Sequence, residues 1–125
     1  MVLEKISTQD APAAIGPYSQ AIVAGDFVFT SGQIAINPKT GNVEAVTIEE
    51  QTEQVMQNLN AVLKAAGSCF ENAIKTTCFL ANISDFAVFN GIYGKYFTTK
   101  PARSCVAAKD LPKGVLVEVE VIAHR

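Results

Sequence analysis

The chain has 125 residues, 49% of them hydrophobic and 18% charged, with a formal net charge of −2, no Trp and three cysteines. That suits a single domain over residues 1–125, able to bury roughly two-thirds of its unfolded surface. It excludes a disordered chain and offers no charge basis for binding nucleic acid or an anionic membrane. No apolar run approaches a membrane span, and Met1-Val2-Leu3-Glu4-Lys5 lacks the basic and long apolar regions of a signal peptide. Cys69, Cys78 and Cys105 are odd in number and widely spaced, which predicts reduced thiols in a cytoplasmic setting. The low charge fraction also suggests a surface partly covered by other subunits.

In chain order, residues 2–6 read as a short strand. Ala11 to Pro17 carries Pro and Gly and reads as an ordered loop or extended arm. Residues 19–23 and 27–31 are strand-like and joined by Ala24-Gly25-Asp26, a hairpin signal. Gly32 follows, where it relieves a bulge or lets another group approach the backbone. Thr47 and Glu50 form a capping box that opens a helix over 47–66, and Gly67 ends it. Ile48, Val55, Met56, Leu59, Val62, Leu63 and Ala66 form its core stripe.

Residues 73–81 read as a strand with Ile74, Thr76, Cys78 and Leu80 on one face. Ser84 is a candidate cap for a second helix reaching Phe97, with Phe86, Phe89, Tyr93 and Phe97 apolar. Asn90 lies on that stripe, where an amide either bonds neighbouring backbone or faces a pocket. Pro101 starts a new element, and 103–107 read as a strand. Asp110 to Gly114 turns the chain into a last strand over 115–123. There Val115, Val117, Val119 and Val121 face one way, and Leu116, Glu118, Glu120 and Ile122 the other. This order predicts an α+β fold, a single mixed β-sheet with two helices packed on one face. The uncovered face needs burial, which a trimer would supply.

The candidates for chemistry are few. His124 is the only histidine and sits beside the C-terminus, which argues against a Ser-His-Asp site and against a His-ligated metal. There is no P-loop, no dinucleotide-binding glycine pattern and no lysine in a cofactor motif, so no cofactor and no metal are expected. Arg103 and Cys105 share a strand face. Two explanations of that pair stay open: an ion pair beside a small packed thiol, or a guanidinium fork facing a carboxylate or phosphate.

Four stretches fall in order along the chain: Ala11-Pro12-Ala13-Ala14-Ile15-Gly16-Pro17-Tyr18-Ser19-Gln20, Thr30-Ser31-Gly32-Gln33, Pro101-Ala102-Arg103-Ser104-Cys105 and Val117-Glu118-Val119-Glu120. Together they resemble the RidA/YjgF family of reactive imine deaminases, almost from end to end. The resemblance implies a chorismate-mutase-like fold in a homotrimer with sites between subunits. It implies hydrolysis of 2-imino acids, such as 2-iminobutanoate and 2-iminopropanoate, to 2-keto acids and ammonia, which protects pyridoxal-phosphate enzymes.

By position, the resemblance gives Arg103 the substrate carboxylate and the Cys105 backbone the imine nitrogen. Glu118 holds or activates the water. Tyr18, Ser31, Gly32 and Asn90 line the pocket, with Tyr18 reaching from one subunit to another. Alternation puts Glu118 and Glu120 on one face and does not choose between them; the family position chooses Glu118. The chain departs from the common pattern at Lys100, where many members carry Phe, and in its short 97–100 connection. Two other activities stand beside it: a 2-keto acid-binding regulatory trimer that uses the same Arg clamp without turnover, and a ribonuclease or translation inhibitor, which the acidic balance disfavours.

Overall fold

A computed structural model describes residues 1–125. Its regular elements are β1 (Leu3–Ile6), β2 (Ala21–Ala24), β3 (Phe27–Thr30), α1 (Ile48–Ala65), β4 (Ala73–Leu80), α2 (Phe86–Tyr96), β5 (Ala102–Ala107) and β6 (Val117–His124). They build one six-stranded sheet in the order β1-β2-β3-β6-β4-β5. β4 and β5 are parallel and every other neighbouring pair is antiparallel, so the sheet is mixed. β6, the last strand in sequence, sits in the middle between β3 and β4. No helix is long and apolar enough to cross a membrane.

Local chemistry sets the elements. The Thr47 hydroxyl accepts the Glu50 N–H, and the Glu50 carboxylate accepts the Thr47 N–H, which closes the capping box of α1. Such a cap stabilises a helix by about 1 kcal/mol. After α1, Gly67 takes φ +79°, a left-handed position that glycine adopts without strain. Gly25 does the same at φ +61° in the β2–β3 hairpin, whose loop is only Gly25-Asp26 because Ala24 already pairs with Phe27. The α1 stripe Val55, Met56, Leu59, Val62 and Leu63 is fully buried against Val117, Val119 and Val121 of β6 and Val28 of β3. Both helices cover this face.

Three expectations need correction. Ile74 does not join the inward face of β4: a bulge between Ala73 and Lys75 turns it outward, and it is 41% exposed. Ser84 caps nothing. It lies inside a 3₁₀ turn over Ile83–Asp85 that runs straight into α2, and no side chain caps that helix. Phe86, at the start of α2, is exposed rather than core.

Sequence periodicity also missed three buried polar residues on α1: Gln51, Thr52 and Asn58. Asn58 donates to the carbonyls of Ile34 (3.0 Å) and Ile36 (2.9 Å), and Gln51 bonds Ala45 and Leu116. They tie the loop before α1 to the helix, and that loop becomes a wall of the site.

The second sheet face is uncovered. Ile22, Phe29 and Ile122 line up across β2, β3 and β6, and Glu118, Phe79 and Val106 line up across β6, β4 and β5. Phe27, Phe29 and Val106 are each more than 40% exposed there.

Candidate functional site

Arg103 stands on β5, directly opposite Thr76 of β4. It makes no ion pair. One terminal nitrogen of its guanidinium donates to Asn90 Oδ1 at 2.6 Å. Its plane lies over the Tyr93 ring, 4.8 Å from the centroid, and near the Phe86 ring at 5.4 Å. Tyr93 is itself held, since its hydroxyl and the Thr76 hydroxyl are hydrogen-bonded at 2.8 Å deep in the core. Asn90 therefore faces a pocket and not backbone. The cavity here has a volume of about 370 Å³, and no carboxylate lines it. A guanidinium fixed by a neutral amide and aromatic rings keeps the rest of its fork free for a planar anion.

A second cavity, of about 440 Å³, contains Tyr18, Ser31, Gly32, Gln33, Lys113 and Glu118. Its geometry starts at Gln33, which exchanges main-chain hydrogen bonds with Val119 at 2.8 and 3.1 Å. That bridge lays Gly32 against Glu118 of β6. A Cβ on Gly32 would lie 2.8 Å from Glu118 Cδ and 3.0 Å from Cγ, so only glycine leaves the carboxylate its place. Ser31 donates its hydroxyl to the Ser19 carbonyl at 2.6 Å, and its N–H bonds the Gln20 carbonyl. Gln20, which sequence patterns gave no role, is buried and bonds Thr8 and Pro12, anchoring the arm that carries Tyr18. The Tyr18 ring is half-exposed at the mouth.

The two groups lie on opposite faces of the sheet. Cys105 pairs with Cys78, which pairs with Val119, so Arg103 and Cys105 share the helix-covered face. Glu118 pairs with Phe79, which pairs with Val106, on the open face. Within one chain, Arg103, Asn90 and Cys105 come together, and Tyr18, Ser31, Gly32 and Glu118 come together, but the two sets do not meet. Glu120 shares the face of Glu118, opposite Thr77.

Titration properties separate the candidate groups. Burial, with a smaller push from the Glu120 charge, raises the Glu118 pKa above the ordinary glutamate value. A carboxyl so shifted loses its proton at a higher pH than an ordinary glutamate. Burial also raises the Cys105 thiol, against a smaller opposing pull from Arg103, and pushes Cys78 up to about 12. Both are thiols at neutral pH, which gives no support to an activated thiolate.

The architecture is that of the small α+β proteins with one mixed open sheet and two helices. The family model described as endoribonuclease L-PSP matches residues 8–125. A Lactococcus lactis protein named as a regulator, AldR, is 56% identical over 120 residues, covering 95% of each chain. The Escherichia coli 2-iminobutanoate/2-iminopropanoate deaminase is 47% identical over 124 residues, covering 96% of each. The crystal structure of Escherichia coli TdcF with bound serine superposes with a TM-score of 0.92 at 41% identity, over 98% of both chains. The chain belongs to this endoribonuclease L-PSP family, also known as YjgF/RidA. Some members are thus named as imine deaminases, others as regulators or endoribonucleases, and one holds a small amino acid.

Proposed function

We propose that this protein hydrolyses 2-imino acids to 2-keto acids and ammonia, in sites completed between copies of a homotrimer. The observation that carries this is the Arg103 fork, fixed by Asn90 and Tyr93 in a cavity with no protein carboxylate to fill it. It suits the carboxylate of a small substrate. The likeness to the Escherichia coli deaminase supports the imine as the reacting group.

In the proposed reaction, Arg103 holds the substrate carboxylate and Asn90 keeps the fork in plane. Glu118 takes a proton from water as the water oxygen attacks the C=N carbon. Glu118 returns that proton to the imine nitrogen, giving a carbinolamine. Glu118 then takes the hydroxyl proton and passes it to the amine as the adduct collapses, forming the C=O bond, breaking the C–N bond and releasing ammonia. An imine is already electrophilic, so positioning and one base are enough catalysis. The Cys105 backbone, on the edge strand β5, is assigned the nitrogen, and the thiol no chemistry. Tyr18 closes the mouth.

The separation of the two half-sites supports this assembly. The open face is apolar enough to seat a neighbour, and a ring of copies brings the Arg103 cavity of one against the Glu118 cavity of the next. Sedimentation equilibrium is expected to give about three chain masses at micromolar concentration. A monomer would contradict the shared site.

Gly32→Ala tests the Glu118 cavity. The added methyl meets only the end of a flexible side chain, so the fold should persist while the carboxylate is displaced. Hydrolysis should fall by up to about a hundredfold, the scale of a misplacement near 1 Å. An unchanged rate would remove Glu118 from the reacting centre. The function itself is tested by generating a 2-imino acid in situ and measuring 2-keto acid release with and without the protein, in competition with semicarbazide.

A second activity has its own support in the 56% identity to a protein named as a regulator: a trimer that binds 2-keto acids and signals without turnover. It predicts ligand binding with no acceleration of hydrolysis. The endoribonuclease description of the family model meets a chain of net charge −2, which gives little basis for holding RNA.

A further inference from the structure

Resting on the Arg103 clamp just proposed, we propose that Lys100 sets specificity and that the site prefers 2-imino and 2-keto acids carrying a second carboxylate. Within one copy, the Arg103 cavity holds two cations, Arg103 and Lys100, and no acid among its lining residues; the acid that the next copy is proposed to supply, Glu118, is given to the reacting water. Arg103 is locked by Asn90 and the aromatic rings, so its fork is matched by a single carboxylate. A monocarboxylate fills the Arg103 fork and leaves Lys100, exposed on the rim, facing solvent alone. A dicarboxylate answers both.

The backbone at Lys100 points the same way. Lys100 takes φ +56°, a region that L-residues seldom occupy and that glycine would enter freely. The only other non-glycine residue with positive φ is Lys113, at +57°, and it lines the Glu118 cavity. The two strained backbone positions of this chain are thus both lysines, one on the rim of each half-site. Strain of this kind persists where the surrounding structure imposes it, and it gathers at ligand clamps. At Lys100 the cause is visible. Its N–H donates to the Phe97 carbonyl at 3.2 Å, Phe97 is buried, and Pro101 follows at once. The turn fixes the Lys100 Cα at the rim. Its four-carbon stem then carries a point charge that can reach a carboxylate of variable spacing, which a rigid fork could not.

The hydrolysis is unchanged in its chemistry: one water is consumed, the C=N bond becomes C=O, and ammonia leaves, while the distal carboxylate takes no part. Calorimetry with 2-oxoglutarate and 2-oxobutanoate as probes tests the inference independently of turnover. The parent protein should bind 2-oxoglutarate more tightly. Lys100→Met, of similar length but neutral, should cut that preference about fivefold, the scale of one partly solvated ion pair. Lys100→Arg should keep it, and added salt should shrink it in the parent. An identical preference in the parent and Lys100→Met, with Arg103→Ala binding neither probe, overturns the role of Lys100 and leaves the clamp standing. A parent that prefers 2-oxobutanoate also overturns it. A parent that binds neither probe, or an Arg103→Ala variant that binds both as the parent does, removes the clamp and this inference with it.

Discussion

Arg103→Lys is expected to lose most imine hydrolysis, and Arg103→Ala to lose 2-keto acid binding as well, with the fold intact in both. Lysine keeps the charge. It has no plane to lie over Tyr93 and no paired donors for a carboxylate. Each charge-assisted hydrogen bond contributes about 1.5–3 kcal/mol, so losing the paired contact lowers affinity on the order of a hundredfold or more. The fold should survive because Arg103 is only partly buried, closes no ion pair and lies on the edge strand β5. Calorimetry with a 2-keto acid measures the binding, and circular dichroism confirms matched folding. Parent-level hydrolysis by Arg103→Ala would rule out the clamp.

Glu118→Gln should keep 2-keto acid binding and assembly, while hydrolysis falls about a hundredfold, the usual scale for a general base. Glutamine has nearly the same size and still hydrogen-bonds, but does not accept a proton. The pH dependence follows from the raised Glu118 pKa. Activity should rise with pH through an acid limb displaced above the ordinary glutamate range, as the carboxyl loses its proton. Burial is the larger cause and Glu120 the smaller, so Glu120→Gln should move that limb to lower pH and leave most activity.

Stability runs the other way. A carboxyl whose folded pKa is raised adds stability as pH falls through that value, and opposes folding once ionised. Glu118→Gln should therefore unfold at or above the parent temperature at neutral pH. A full rate in Glu118→Gln would exclude it as the base, and a dead Glu120→Gln would transfer the role to Glu120.

What the sequence revealed was local. The Thr47–Glu50 box, the α1 stripe and the Val117–Val119–Val121 alternation involve neighbours within a few residues, where propensity and periodicity act directly. The bulge at Ile74 and the 3₁₀ turn across Ser84 depend on how β4 meets β6 and how α2 is entered, which no short pattern carries. Asn58 reads as a surface amide until its partners, 22 and 24 residues away in sequence, are in place.

The candidate site divides in the same way. Alternation put Arg103 with Cys105 and Glu118 with Glu120. It could not relate the two strands, because that depends on β4 joining them through Cys78, with Cys105 on one side and Val119 on the other. Only this register puts Arg103 and Glu118 on opposite faces. Tyr93 looked like core, and its hydroxyl bond to Thr76 gave no sequence signal of its hold on Arg103.

The shared catalytic site is tested most directly by mixing two impaired proteins. Arg103→Ala and Glu118→Gln chains are unfolded together in equal amounts, refolded, and assayed for imine hydrolysis. In a ring of three, a site takes Arg103 from one copy and Glu118 from the next, so random assembly restores about a quarter of the parent sites. Recovery to about that level, absent when the two proteins are refolded separately and then combined, is the predicted result. Activity no greater than the mean of the two impaired proteins would contradict a site built between copies.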